Sequence, residues 1–162
     1  MFRNNILLFV FLMGWNILPA QSVSLDVLSE DLGTFQKHYV YPSILRALIG
    51  QQDDSFNHLI EDIDFVRIVN IDSTYISKNN ELFIELRSDL ANEGFESIAS
   101  MQEKESTNEF FVLEKNEQIE GFLLYRKQAY SYMLIEIVGD IQLGKLNDLM
   151  NIDYDNFSIL ME

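Results

Sequence analysis

Cysteine is absent from all 162 residues of the chain. Without cysteine there is no disulfide, no thiol nucleophile and no thiolate metal ligand, and we expect no lipid anchor attached through an N-terminal cysteine. The fold must therefore be stabilised by its hydrophobic core alone. Histidine, the most common catalytic base, is also scarce and occurs only as His38 and His58.

Glycine and basic residues are few, and this argues against two classes of ligand. The seven glycines are dispersed and form neither a dinucleotide-binding fingerprint nor a phosphate-binding loop, so no nucleotide cofactor is predicted. Only 11 lysines and arginines stand against 26 aspartates and glutamates, a formal charge of −15 at pH 7. This charge repels nucleic-acid phosphates and anionic lipids, so we expect no nucleic-acid binding. The same charge also keeps a domain soluble.

The longest apolar run lies at the start of the chain. Arg3 and the amino terminus form a short positive region, residues 6–18 are almost wholly apolar, and Leu18-Pro19-Ala20 closes the run with a small residue. This pattern is typical of a secretory signal peptide, so we predict that residues 1–20 are removed and that the protein works in the periplasm or outside the cell. The run is too short to span about 30 Å of hydrocarbon, and we expect no stable membrane anchor after cleavage.

Residues 21–162 have the length of a single domain. Apolar spacing predicts helices over residues 25–32, 42–49, 56–63 and 82–90 and after residue 140, and strands over residues 65–71, 95–101, 109–115, 119–128 and 130–138. The strand, helix and strand within residues 65–101 predict a parallel crossover, and the later strands predict an antiparallel meander. We therefore predict an α+β fold with a mixed, mainly antiparallel sheet of about five strands and helices chiefly on one face. The arrangement of residues 151–162 stays open.

Three local signals predict where these elements begin and end. Asn79 or Asn80 can cap the helix over residues 82–90, and Gly94 can take the left-handed conformation that ends it. Gly139-Asp140 is expected to break the last strand, with Asp140 as the cap of the closing helix.

The two histidines are the candidate bases for a hydrolase. His58 lies opposite the apolar stripe of its predicted helix, and His38 lies in a predicted connecting segment, so both are interpreted as ordinary surface residues. No Gly-x-Ser-x-Gly turn accompanies them. We predict no catalytic residue, although carboxylate pairs for glycoside hydrolysis stay open because their separation cannot be read from sequence.

A metal site could use His58 and Asp62, which stand one helical turn apart, with Glu61 adjacent. Two ligands do not complete a zinc or iron site, and the same spacing is explained by a weak contact along the helix. No calcium-binding loop is present. We therefore predict no metal and no cofactor, while loose binding of a divalent cation to surface acids stays open.

Three tyrosines, Tyr125, Tyr130 and Tyr132, surround one predicted hairpin. Aromatic rings anchor sugars, peptides or partner proteins, but they also pack across strands. The alternation of residues 130–135 gives neither face of the strand a clearly polar, solvent-exposed character, so the sequence favours packing in the core. The only adjacent basic pair of the chain, Arg126-Lys127, is expected to protect a strand edge.

Four short motifs follow one another along the chain: Tyr41-Pro42-Ser43-x-x-Arg46-x-Leu48, Val66-Arg67-Ile68, Glu93-Gly94-Phe95-Glu96 and Ile137-Val138-Gly139-Asp140-Ile141-x-Leu143. Their order resembles the DUF4252 family, and the resemblance covers most of residues 21–162. It implies a small exported protein of Bacteroidetes with no known function and no catalytic residues to assign. Genes of this family that adjoin extracytoplasmic-function sigma factors would imply a role in envelope signalling. Some members are lipoproteins, whereas this chain lacks the cysteine that they use.

The sequence thus indicates an uncharacterised exported domain that is not an enzyme. We expect a non-catalytic binding or protein-interaction module of the bacterial cell envelope, with an envelope protein as its partner. Two alternatives stay open: an envelope hydrolase that uses carboxylates or His58, and a homo-oligomeric structural component that uses an open sheet edge.

Overall fold

The structure is a computed structural model that describes residues 22, 25–26, 36–48, 58, 60–72, 81–128 and 131–151. The elements in chain order are β1 (Gln36–Val40), α1 (Pro42–Leu48), β2 (Ile63–Asp72), α2 (Leu82–Asn92), β3 (Phe95–Gln102), β4 (Ser106–Lys115), β5 (Gln118–Gln128), β6 (Ser131–Ile141), a 3₁₀ turn (Leu143–Lys145) and α3 (Leu146–Met150). None of the described helices is long and apolar enough to cross a bilayer.

The six strands form one sheet in the order β1-β2-β6-β5-β4-β3, and every neighbouring pair is antiparallel. The α+β class and the antiparallel meander β4-β5-β6 are confirmed, whereas the mixed sheet of about five strands is corrected to six antiparallel strands. β2 and β3 do run in the same direction, as a crossover predicts. Three strands separate them, because β2 pairs with β6 and not with β3.

β1 is the strand that the sequence did not predict. It pairs with β2, with His38 opposite Ile68 and Val40 opposite Val66. Val40 is its only buried residue, so no apolar alternation marks it in the sequence. His38 therefore lies in an outer strand and not in a connecting segment.

Strand alternation creates two hydrophobic cores, one on each face of the sheet. In β2, Val66 and Ile68 belong to the first core, whereas Val69 and Ile71 belong to the second. The first core also includes residues of α1 and α3, and the second includes residues of α2. β2 is covered on both faces, as predicted. The described helices contribute residues to both cores, and the expectation of helices chiefly on one face stays a prediction.

The ends of α2 agree with the sequence at one boundary and differ at the other. Gly94 follows α2 with a φ of 96°, so a left-handed residue ends the helix as predicted. The cap position before Leu82 is occupied by Glu81, which makes no side-chain capping bond. Asn79 and Asn80 lie outside the described residues.

Gly139 and Asp140 do not break the last strand, because β6 continues to Ile141. The glycine is needed for a close approach of the paired strands: Gly139 lies opposite Ile63 beside a register shift, and a Cβ at residue 139 would lie 2.2 Å from the carbonyl oxygen of Asp62. The Asp140 amide donates a hydrogen bond of 3.0 Å to this same oxygen. The closing helix is only α3, and Lys145, not Asp140, occupies its cap position.

The helix predicted over residues 56–63 ends differently in the structure. Residues 60–62 form a turn, and Ile63 opens β2. Most of this predicted helix and of the one over residues 25–32 lies outside the described residues, as do the predicted signal peptide (1–20), Tyr130 and the tail from residue 152.

Candidate functional site

Two charged residues are completely buried at the centre of the sheet. Arg67 in β2 and Glu136 in β6 each have 0% of their surface exposed, and they stand directly opposite each other in the antiparallel register. Their Nη2 and Oε2 atoms are 2.6 Å apart. Buried charges require partners of this kind, because an isolated charge loses its hydration without compensation.

The same two side chains hold the backbone of Ser22, a buried residue far away in the sequence. The Ser22 amide donates a 2.7 Å hydrogen bond to Glu136 Oε1, and Arg67 Nη2 donates one of 2.9 Å to the Ser22 carbonyl. Both backbone polar groups of one residue are thus satisfied by side chains of the sheet. Leu25 is buried in the second core nearby, so Ser22 and Leu25 cover part of this face.

Asp26 extends the network to the outer strand β1. Its Oδ1 accepts hydrogen bonds from Arg67 Nη1 at 2.6 Å and from Lys37 Nζ at 2.7 Å. With both carboxylates ionised, the network contains two positive and two negative charges and is neutral. We call these four side chains, Asp26, Lys37, Arg67 and Glu136, the buried network.

The titration of the buried network reflects this arrangement. Burial raises the pKa of Glu136 to about 7, although the Arg67 charge and the Ser22 amide oppose the shift. Burial also acts to raise the pKa of Asp26, but the hydrogen bond from Lys37 and the charge of Arg67 outweigh it and lower that pKa. Burial acts to lower the pKa of Lys37, but its bond to Asp26 prevails and raises it.

A carboxylate with a pKa near 7 is a typical general acid or base, but Glu136 has no surface from which to contact a substrate. Its observed contacts hold β6 to Arg67 of β2 and to the backbone of Ser22. Neither residue of this pair was predicted from the sequence as part of a site. A signal was available, since each residue is a lone charge within an apolar strand, Phe65-Val66-Arg67-Ile68-Val69 and Met133-Leu134-Ile135-Glu136-Ile137.

The structure does not assemble a metal site from His58 and Asp62. His58 is exposed and its Nδ1 lies 3.3 Å from Glu61 Oε2. Asp62 instead accepts a 2.9 Å hydrogen bond from Lys145 Nζ, which also donates to the His58 carbonyl at 2.7 Å. The bond from Lys145 lowers the pKa of Asp62. Throughout the described ranges, no three potential ligands form a metal-binding group.

Tyr125 and Tyr132 pack in the second core, which confirms the core interpretation for these two tyrosines. Their ring centroids lie 4.6 and 4.8 Å from that of Phe83 in α2. Burial raises the pKa of Tyr125. The neighbouring Arg126-Lys127 pair does not protect a sheet edge, because β5 is paired on both sides.

Lys127 and Tyr132 also border an open cleft of about 530 Å³ beside the β3-β4 hairpin. The Lys127 Nζ lies 5.7 Å from the Tyr132 ring centroid. This ring is also stacked on Phe83, so the cleft offers mainly polar groups at the hairpin.

The second unusual region is a run of exposed apolar side chains from the end of β1 into α1. Tyr39, Tyr41 and Ile44 are 42%, 55% and 46% exposed. The Tyr39 ring contacts Phe65, with centroids 5.9 Å apart, and the Ile44 amide donates a 2.9 Å hydrogen bond to the Tyr41 carbonyl in the first turn of α1. In the strand register Tyr39 lies opposite Arg67, on the face of the second core, whereas α1 packs against the first core. We call Tyr39, Tyr41 and Ile44 the β1-edge patch, and none of the three belongs to either hydrophobic core.

Comparison with known proteins yields one match. The family model described as "Domain of unknown function (DUF4252)" matches residues 30–149, about three quarters of the chain. No curated protein and no solved structure matches.

Proposed function

From the premise that the chain belongs to the DUF4252 family, we propose that it is a non-catalytic protein-interaction module of the bacterial cell envelope. The single observation that carries this proposal is the β1-edge patch. Its three large apolar side chains lie within six consecutive residues on an outer strand and the helix that follows.

The β1-edge patch has the chemistry of a protein-binding surface. Tyrosine is enriched at protein interfaces because it combines a large rigid apolar ring with a hydroxyl that can form hydrogen bonds. The Tyr39 ring is already oriented by Phe65, and Lys37 Nζ lies 5.3 Å from its centroid. A preordered ring loses less conformational freedom when it binds a partner.

Two observations on the described residues favour a non-catalytic role. Glu136, whose pKa of about 7 would suit a general acid or base, has no exposed surface. His58 is exposed, and its ring contacts the surface residue Glu61. The proposed partner is an exported protein that presents an apolar surface complementary to the β1-edge patch. The location in the envelope rests on the signal-peptide pattern of residues 1–20.

The test is cross-linking in intact cells of the source organism, with a tagged copy recovered and both its N-terminus and the recovered proteins identified by mass spectrometry. We expect an N-terminus at Gln21 and one reproducible envelope partner. Tyr41→Ser with Ile44→Ser should abolish recovery of this partner, whereas Leu143→Ser, at an exposed apolar residue outside the patch, should retain it.

Three results would contradict the proposal. An intact Met1 terminus would refute export. A partner recovered equally with the patch variant and the control would place the interaction elsewhere. Turnover of an envelope substrate that is abolished by His58→Ala would support the hydrolase alternative.

A further inference from the structure

The opposite edge of the sheet carries a second exposed strand. β3 is the last strand in the order, and within the described ranges no strand pairs with its outer side. Seven of its eight residues are at least partly exposed, including Ile98 at 40% and Met101 at 39%. Glu96 is its only charged residue in a chain with a net charge of −15.

This edge lacks two common protections against pairing. Natural edge strands are often interrupted by proline or carry lysine, and β3 has neither. It does contain a bulge at Ile98, because Ser97 pairs with Phe111 while Ala99 pairs with Phe110. A bulge is itself a protective device, but it also restricts which partner strand can fit.

The bulge changes which residues share a face. Before it, Glu96 lies opposite Val112 and faces the side of the first core; after it, Ala99 and Met101 face that side. A strand that pairs with this edge must also switch faces at the bulge, because otherwise its side chains would point to the wrong side of the sheet on one side of the bulge. A second copy of β3 in an antiparallel pair meets this requirement. Its residues after the bulge lie opposite the residues before the bulge of the first copy, so paired residues face the same side of the sheet.

We infer that β3 pairs with β3 of a second copy of this chain, antiparallel and centred between Ile98 and Ala99, so that two six-stranded sheets join around a twofold axis. In this register Glu96 lies opposite Met101 of the second copy, and Ser97 lies opposite Ser100. No like charges meet within the strands.

The bulge favours this register over its neighbours. A shift by one residue in either direction pairs residues of opposite faces of the sheet, for example Glu96 with Ser100 or with Gln102 of the second copy.

The expected dimer is weak and depends on concentration. One pair of eight-residue strands buries less surface than a standard protein interface, and two strongly acidic subunits repel each other. Raising the salt concentration should therefore strengthen the association, because it screens that repulsion.

The first test measures the mass of the protein expressed from its full coding sequence, by sedimentation over roughly 1 µM to 1 mM. We expect a monomer to become a dimer with rising concentration. Ile98→Lys should shift the midpoint at least about tenfold, because it places a cation of each copy at the centre of the pair. The matched control Leu143→Lys makes the same change at an exposed site outside the sheet and should have no effect.

The second test uses the natural absence of cysteine to read the register. Glu96→Cys mixed with Met101→Cys should form a mixed disulfide dimer under mild oxidation, whereas Glu96→Cys mixed with Gln102→Cys should form much less. A monomer at every concentration would overturn the inference. So would a dimer that is unaffected by Ile98→Lys or that is cross-linked equally by both mixtures. These results do not involve the β1-edge patch, so they stand apart from the proposed function.

Discussion

The buried network and the β1-edge patch are the two unusual regions of this domain, and they differ in chemistry and in access. The buried network contains charged groups with shifted pKa values, but Arg67 and Glu136 have no exposed surface. The β1-edge patch has no reactive group, but Tyr39, Tyr41 and Ile44 are all open to solvent.

The difference shows that a shifted pKa identifies a desolvated environment, which is not necessarily a functional site. Structural ion pairs shift pKa values by the same desolvation that active sites use. Access decides between the two interpretations. We therefore propose that the buried network serves stability and the β1-edge patch serves binding, and each proposal can be tested without the other.

The largest expected effect is the loss of one member of the buried pair. Glu136→Ala leaves Arg67 buried with Asp26 as its remaining carboxylate and removes the acceptor of the Ser22 amide. We expect the free energy of unfolding to fall by about 3–5 kcal/mol, measured by urea denaturation. The double variant Arg67→Met with Glu136→Leu, which removes both charges together, should lose much less. An equal loss in both variants would contradict the ion-pair explanation.

The next effect concerns the close approach of Gly139 in β6 to the start of its partner strand β2. Gly139→Ala places a methyl group against the backbone of Asp62 and Ile63, which cannot move aside as a flexible side chain could. We expect a loss of about 1–3 kcal/mol in the same measurement. Gly144→Ala is the matched control, since a Cβ there meets no atom within 4 Å. A small loss of stability at both positions would show that the backbone of Asp62 and Ile63 has room for a Cβ at residue 139.

These first predictions also indicate what the sequence could establish. The antiparallel meander and the glycine after α2 were predictable because their signals are local. For example, Asn116 and Glu117 separate β4 from β5, and in the structure they form a two-residue turn with φ angles of 53° and 65°. β1 was not predictable, because its single buried residue gives no alternation. The lone charges Arg67 and Glu136 are visible in the sequence, but the bond from Ser22 to Glu136 was not predictable, because it spans 114 residues.

The β1-edge patch was equally difficult to recognise in advance. Tyr41 and Ile44 fit the pattern of an ordinary amphipathic helix and its approach, and only the packed sheet shows that they remain exposed. Gly139 illustrates the opposite error. Glycine followed by aspartate is a typical end of a strand. Here the glycine is needed because a Cβ would collide with the backbone of Asp62 and Ile63, and the sequence alone does not show that this segment lies beside Gly139.

The pH dependence of stability gives a smaller test of the buried network. The pKa of Glu136 is about 7 in the folded protein and 4.5 as its ordinary value, so between these pH values the folded protein holds a proton that the unfolded chain has released. The contribution of Glu136 to stability is therefore full below pH 4.5 and is lost as the pH rises to about 7. Urea denaturation at pH 5 and pH 8 should show this decrease, and Glu136→Gln should remove it. An unchanged slope in the variant would contradict the pKa assignment.

The smallest expected effect is on the stability of patch variants. Tyr41→Ser with Ile44→Ser removes side chains that belong to neither core, so the free energy of unfolding should change by only about 0.5 kcal/mol per substitution. Leu45→Ser, one residue away and buried in the first core, is the matched control and should lose several times more. A large loss in the patch variant would mean that these side chains serve the fold rather than binding.

The comparison of the two regions is tested most directly by recovering the cross-linked envelope partner with two variants in parallel. Glu136→Gln alters the buried network while keeping its shape, and Tyr41→Ser with Ile44→Ser alters the β1-edge patch. We expect the partner to be recovered with Glu136→Gln and lost with the patch variant, while both proteins remain folded. Recovery with the patch variant and loss with Glu136→Gln would contradict the account and place function at the buried network.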